Sequence, residues 1–586
     1  MRIISKKMIM AALATMSISS IESEACTNVI VTRGASADGS NMISYSADSH
    51  YLYGELYYAP AGIWEEGSMR EIREWDTGRF IGYIPQVSRT YQRVGNMNEH
   101  QLIIAETTYG GRPELEDQIG IMDYGSLIYV TLERARTARE AIEIIVDLAN
   151  TYGYCSGGES FSIADTDEAW VMDLIGKGNG KGIVWVARRV PDGYICAHAN
   201  QARISTFPLD DPENCLYAPD VITFAREKGY FNGKDEDFSF CDAYAPLDFS
   251  GMRGCEARVW SAYNILCDGK FTFCNEKGKV VTKDAYDFID YAMGWDKKVR
   301  MPLFVKPADL IDVKELADVM RDHYEGTPMD MTEDIGAGGN ALPYRWRPMG
   351  FEYNGKSYVN ERAIATQQTG FWFIGQSRAW MPDEIGGINW FGCDDAATSY
   401  LTPIYASTYE IPECFREGNG SLLEYSPTSA FWMTNRVANA CYKAYNIMFP
   451  TVDAEIDAWE LSMMEAVEKA DKEALELYRA ADSAPQKKIR RNDKARKTVD
   501  KFAGVRRYLT EFSVNNAQTI FDKWVALEQL LLVKFIDGNV KMQNEDGSFI
   551  RSEHSDGIPG KIQQPGYTEK WKECVAKDYG YILIEK

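Results

Sequence analysis

The sequence predicts an α+β fold, and three features carry that expectation: strand-like pairs recur up to residue 204, a capped helix interrupts them near residue 140, and from about residue 453 the pattern becomes helical. The first strand pair is "TNVIVTRG", a turn in "ASADGS" with its Asp-Gly, and "NMISYSADS", with Val29 and Val31 on one face. "QLIIAETTY" (101–109) reads as another strand. Thr137 followed by Glu140 is a capping-box pattern that opens a helix through "AREAIEIIVDLANTYG", with Ile144, Ile145 and Leu148 apolar and Gly153 as the stop. Residues 159–204 alternate around two turns, Asp165 to Glu168 and Pro191-Asp192-Gly193, and so predict an antiparallel meander. Residues 340–410 are rich in Trp, Tyr and Gly without helical periodicity, which suggests irregular segments over a sheet or around a pocket. The helical tail carries a basic run, "KKIRRNDKARK", read as a solvated helix face.

Composition narrows the function classes. A chain of 586 residues with 45% hydrophobic residues is long enough for several packed cores, and its net charge of −23 disfavours a nucleic-acid backbone as partner. The first 25 residues read as a secretory signal: Arg2, Lys6 and Lys7 form a basic start, Met8 to Ile21 an apolar run, and "SEA" a small-x-small end. That run is too short to span a bilayer, which takes about 20 apolar residues. The expectation is therefore an exported protein, periplasmic or extracellular, without an integral membrane segment. Twelve cysteines without any C-x-x-C argue against structural zinc. Neither H-E-x-x-H nor G-x-S-x-G occurs, so no metal or other cofactor is expected, and neither a metallopeptidase nor an α/β-hydrolase elbow is indicated. Of the five histidines, His198 at a strand end reads as a satisfied structural residue.

Cys26 is the residue with distinctive chemistry. Cleavage after Ala25 would leave it first in the chain, with a free α-amine beside its own thiol. An α-amine has a pKa of about 7.7–8.0 and a thiol about 8.5, so the amine can take the thiol proton as sulfur attacks a carbonyl. An internal cysteine lacks that base, because a peptide nitrogen has no basic lone pair. Lipidation is the rival fate of an exported cysteine, but Ser23 stands where a lipobox has a large aliphatic residue. A structural or disulfide cysteine is the other alternative.

These segments carry a resemblance. "ACTNVIVTRGASADGSNMISYSADS", "GNMNEHQLIIAETT", "YGSLIYVTLERARTAREAIEII", "ESFSIADTDEAWVMDLIG", "AHANQARI", "ATQQTGFWFIGQSRAWMPDEIGGINWFG" and "SYLTPIYAS" occur in the order found in the cysteine dipeptidases of the N-terminal-nucleophile (Ntn) hydrolase superfamily, peptidase family sixty-nine of the cysteine class. The resemblance spans roughly residues 26–440. It implies an αββα sandwich over residues 26–445, followed by a mainly helical region over 446–586, and hydrolysis of dipeptides through an acyl-enzyme on Cys26. By position it implies that Asp48 orients the amine, that Asn200 donates to the oxyanion, and that Arg258 is a basic residue near the site. Two departures stand out. The related acylases carry an arginine where this chain has Tyr45, and their second oxyanion asparagine falls near Thr107, so the charge pattern of the substrate pocket is left open. The partner expected is a small peptide, with homo-oligomer formation undecided. Two other functions stay open: an amidase of the same superfamily acting on bile-salt or acyl-amide substrates, and a lipidated surface protein that binds peptides or glycans.

Overall fold

The computed structural model describes residues 26–180, 182–275, 277–484 and 500–580. Residues 1–25, read above as a secretory signal, and the basic run at 487–497 lie outside the described residues. The site is framed by strands β1 (Thr27–Val31), β2 (Asn41–Asp48), β3 (Tyr58–Ala59), β4 (Arg93–Val94), β5 (Met97–Asn98) and β6 (Ile103–Tyr109). Helices α1 (Tyr124–Leu132) and α2 (Ala138–Tyr152) follow, then β7 (Gly158–Ala164), β8 (Ala169–Gly176), β9 (Ile183–Arg189), β10 (Ile195–His198) and β11 (Cys215–Tyr217). Next come α3 (Ala257–Leu266), β12 (Phe304–Val305), α4 (Val313–Met320), β13 (Thr369–Ser377), β14 (Gly387–Cys393) and β15 (Thr402–Tyr405), and finally α5 (Ala430–Cys441), α6 (Tyr445–Ser483) and α7 (Ala503–Lys534).

The strands build two antiparallel sheets. One runs β12-β10-β1-β2-β13-β14-β15 and the other β11-β9-β8-β7-β6-β5-β4-β3. They pack face to face: Ile103 of β6 fills the space over Gly375 of β13, where a Cβ would meet it at 2.9 Å, and Ile30, Ile43, Val171 and Phe373 belong to the same buried cluster. On the outer face of the eight-stranded sheet, Ile104, Phe161 and Met172 pack with Leu127, Ile128, Ile142 and Ile145 of α1 and α2. The seven-stranded sheet is covered by α3, α4, α6 and α7. The order of layers is thus helix, sheet, sheet, helix.

The helix starting at residue 138 forms as its sequence predicts, with one change at its cap. Thr137 accepts the Glu140 N–H at 3.2 Å, while the Glu140 carboxylate takes the N–H of Arg136 rather than that of Thr137. Gly153 ends it at φ 77°, a backbone state that glycine enters without strain.

Two expectations are corrected. The stretch 159–204 is not one meander: β7, β8 and β9 are neighbours, but β10 crosses over to pair with β1, and β11 occupies the β9 edge instead. Residues 340–410 are not mainly irregular, because they hold β13, β14 and β15. "TGFWFIGQS" and "GINWFGC" are buried on both faces, so they show no apolar–polar alternation to read. Helix α1 was missed for the same reason, all nine of its residues being buried.

The C-terminal helices begin at Ala430, earlier than expected, and share the core of the seven-stranded sheet. Trp459 of α6 donates its Nε1–H to the Leu401 carbonyl at 2.9 Å, and the Trp524 ring of α7 meets Tyr400 at 4.6 Å. Buried ion pairs fix α6 further: Arg321 to Glu460 at 2.6 Å, and Arg378 to Asp471. The boundary expected at 445/446 falls at the start of α6, after α5 has already opened the helical region, and both helices belong to one continuous core. Among the described residues, no helix is long and apolar enough to cross a membrane.

Candidate active site

Strand geometry brings the site together at an open edge. β5 pairs with β6 only at Ile103, so beyond that point one edge of β6 is free of strand partners among the described residues. Side-chain amides from the seven-stranded sheet cap the exposed backbone. Asn28 Nδ2 donates to the Glu106 carbonyl at 2.6 Å, and Asn200 Nδ2 donates to the Thr108 carbonyl at 2.6 Å. The register of β1 on β2 sets Thr27 opposite Ser46 and Asn28 opposite Tyr45. Cys26, just ahead of β1, is thereby held over that edge.

Cys26 is only 6% exposed. Its Sγ lies 3.7 Å from Glu106 Oε1 and 3.8 Å from the Tyr45 hydroxyl, and that hydroxyl donates to Glu106 Oε1 at 2.6 Å. Behind Glu106 stands Glu159, whose Oε2 accepts from Thr108 at 3.0 Å and from Tyr154 at 3.1 Å. Burial raises both carboxyls above their usual range, Glu159 further because the neighbouring Glu106 charge adds to it. Each of two carboxyls this close disfavours ionisation of the other, and the effect falls harder on Glu159. The Tyr45 hydroxyl is likewise pushed well up, by burial first and then by Cys26 and Glu106, and stays a neutral donor.

Arg258, near the start of α3, is fully buried and uses all five of its N–H groups. They reach the Cys26 carbonyl at 2.5 Å, Thr27 Oγ1 at 2.9 Å, the Ala199 carbonyl at 3.2 Å, Asn200 Oδ1 at 2.9 Å and the Gly254 carbonyl at 2.8 Å. Burial, with Arg362 close by, lowers its pKa from the usual arginine value. One guanidinium thus ties the backbone of Cys26 to the side chain of Asn200. Asn200 itself sits at φ 59°, a left-handed state that asparagine tolerates, and its second amide N–H is left for a further acceptor.

Asp48 is placed at the end of β2, next to Ala47, the residue that faces Cys26 if the strand register is continued by one step. Its carboxylate is an ion-pair partner: Oδ2 accepts from Arg362 at 2.6 Å and from Ser46 at 3.0 Å, and Oδ1 from Thr369 at 2.7 Å. Thr107 does not join Cys26 through its side chain. Its hydroxyl pairs with Nδ1 of His198 at 2.7 Å, whose Nε2 pairs with Ser162 at 2.7 Å. The second oxyanion donor that the resemblance places near Thr107 is therefore not supplied by this hydroxyl.

His198 is the satisfied structural residue expected, buried and neutral, with its pKa pushed down to about 3 by desolvation. Between that value and the unfolded value of about 6.5, the unfolded chain binds the extra proton. Stability therefore rises with pH across this window and is lost on acidification. His198→Gln, which keeps a donor and an acceptor for Thr107 and Ser162, should flatten the dependence of the unfolding midpoint on pH between about 3 and 6.5. An unchanged slope would show that other groups set it.

Sequence reading alone did not single out Glu106, Glu159, Asn28 or Arg362. For the two glutamates a signal existed: each puts a charge inside an otherwise apolar strand, in "QLIIAETTY" and "ESFSIA". Arg362 has no local signal, since only the fold brings it to Asp48 from 314 residues away. Cavity size does not find the site either. A cavity of about 460 Å³ lies around Met42, Gln376, Trp390 and Leu475, at the other end of β2 from Asp48.

A buried thiol beside carboxylates, anchored by an arginine and an asparagine at a strand edge, is the equipment of a hydrolase that attacks carbonyl carbon. Comparison with known proteins places the chain more closely. The model of peptidase family C69 matches residues 60–457, most of the chain, and the protein belongs to that family and is a peptidase. The matched region starts after Cys26 and Asp48. Similar proteins include a "Probable dipeptidase" of Salmonella dublin, 23% identical over 65% of this chain and 81% of that protein, and "Dipeptidase A" of Lactobacillus helveticus, 23% identical over 72% and 83%. A "Probable dipeptidase" of Latilactobacillus sakei is 22% identical over 77% and 88%.

Proposed function

We propose that this peptidase is an exported cysteine dipeptidase of the Ntn-hydrolase type, activated when removal of residues 1–25 makes Cys26 the N-terminal nucleophile. The observation that carries the reading is the Arg258 clasp, which holds the Cys26 carbonyl and Asn200 Oδ1 on one guanidinium. The layered sheets and the dipeptidase names of the relatives support it.

In this reaction the Cys26 thiol gives its proton to its own α-amine as sulfur bonds to the carbonyl carbon of the single peptide bond. The negative charge that forms on oxygen takes the free N–H of Asn200. Collapse breaks the C–N bond, and the α-ammonium returns the proton to the departing amino acid. Water, deprotonated by the same amine, then attacks the thioester and releases the second amino acid. Asp48 supports the amine electrostatically, with Arg362 fixing the carboxylate.

Intact mass and N-terminal sequencing of the exported protein, followed by a substrate panel, test the reading. A chain starting at Cys26 that cleaves unblocked dipeptides and spares their N-acetylated forms is expected. A protein that keeps residues 1–25 and cleaves dipeptides equally well would overturn the N-terminal mechanism.

A further inference from the structure

The position where the related acylases carry an arginine is Tyr45 here, and its neighbourhood is acidic. The Tyr45 hydroxyl donates a hydrogen bond to Glu106, and Glu106 Oε1 is the carboxyl atom in contact with Sγ, at 3.7 Å. A buried carboxyl group thus stands beside the proposed nucleophile, oriented by Tyr45. Asn28 adds an acceptor. It is buried on β1, its Nδ2 is committed to the Glu106 carbonyl, and its Oδ1 has no hydrogen-bond partner among the described residues. A buried acceptor without a donor is costly, and this one belongs to a side chain bonded to the backbone of Glu106.

We infer that Glu106, with Asn28 Oδ1 beside it, is the subsite for the free α-ammonium of the residue whose carbonyl Cys26 attacks. This rests on the dipeptidase reading and extends it to the group that recognises the free N-terminus of the substrate. In a dipeptide the ammonium is separated from the scissile carbonyl carbon by only the α-carbon. When sulfur reaches that carbon, the ammonium is within a few ångströms of Sγ, the distance at which Glu106 stands. A charge-assisted hydrogen bond to a buried carboxylate is strong, whereas an acylated amine offers no charge to it. A longer peptide attacked at an internal bond would set a neutral amide against this carboxylate. The subsite thus accounts for selection of the N-terminal residue without any contact to its side chain. Tyr45 keeps the carboxylate oriented, as a positioning residue.

The test compares alanyl-alanine with propionyl-alanine, which differ only in the ammonium. The wild-type enzyme is expected to prefer alanyl-alanine. Glu106→Gln should lower kcat/KM for alanyl-alanine by about 10- to 100-fold, mostly through KM, and leave propionyl-alanine unchanged or improved. The rate of Cys26 alkylation by iodoacetamide should not fall, because loss of a carboxylate beside Sγ favours the thiolate. An equal fall on both substrates with slower alkylation would assign Glu106 to the thiol chemistry and overturn the proposal, as would an unchanged preference. Should the variant fail to fold, calorimetry on Cys26→Ala decides: alanyl-alanine should bind at least about 10-fold more tightly than propionyl-alanine, and equal affinities reject the subsite. A wild-type enzyme that cleaves no dipeptide at all would instead remove the dipeptidase reading itself.

Discussion

Cys26→Ala is expected to reduce dipeptide hydrolysis by at least about 10³-fold while leaving the folded protein intact, because in the proposed mechanism every covalent step passes through Sγ. The fold has little at stake in that atom. Its contacts at 3.7 and 3.8 Å are long, and Glu106 keeps its hydrogen bond from Tyr45 without it. Loss of one small buried group costs about 1 kcal/mol, too little to unfold a protein with two large sheets. Placing one extra residue ahead of Cys26 makes the complementary variant: the thiol stays and the basic amine is displaced. That variant should be nearly as inactive as Cys26→Ala, with kcat affected more than KM. In the processed enzyme, activity should rise with pH as the amine, with its ordinary pKa of about 7.7–8.0, loses its proton. Full activity in Cys26→Ala, read by dipeptide turnover beside an unchanged unfolding midpoint, would exclude the thiol mechanism.

What the sequence disclosed depended on whether the information was local. Cys26 could be singled out because its neighbours read as a cleavage site, and the helix from Ala138 to Tyr152 because its cap, amphipathic face and terminal glycine lie within one short window. Strands β13 and β14 could not, since burial on both faces erases the alternation by which a strand is recognised. The same distinction governs the site. Asn200 and Arg258 could be placed by resemblance, but that one guanidinium spans Cys26, Thr27, Ala199 and Asn200 is a product of tertiary packing. Tyr45 was visible only as a departure from the acylases. Its meaning came from Glu106, 61 residues on, which sets a buried carboxyl group against that position. The expectation at Thr107 failed through strand parity, because neighbouring residues of β6 face opposite sides and its hydroxyl falls to His198 while Glu106 turns to Cys26.

The second large effect is expected at Arg258, where activity and stability should fall together. Arg258→Met fills much of the same volume but removes five donors at once, leaving the Cys26, Ala199 and Gly254 carbonyls, Thr27 Oγ1 and Asn200 Oδ1 to find others inside the protein. Relief of the repulsion from Arg362 offsets part of this, since the two cations lie close enough to depress the Arg258 pKa. Breaking buried charged contacts on one side typically costs about 3–5 kcal/mol, and that range is expected here from denaturant unfolding. Activity should fall by at least about 100-fold, expressed in kcat, because the nucleophile's backbone and the oxyanion amide lose their common anchor while the Glu106 subsite is left in place. Arg258→Lys separates positioning from charge. Lysine restores the cation but brings three donors from a single point to five acceptors arranged around a planar fork, so it should recover part of the stability and little of the turnover. A lysine variant with wild-type kcat would mean that only the positive charge at this position matters, and that the clasp between Cys26 and Asn200 does not set the geometry of attack.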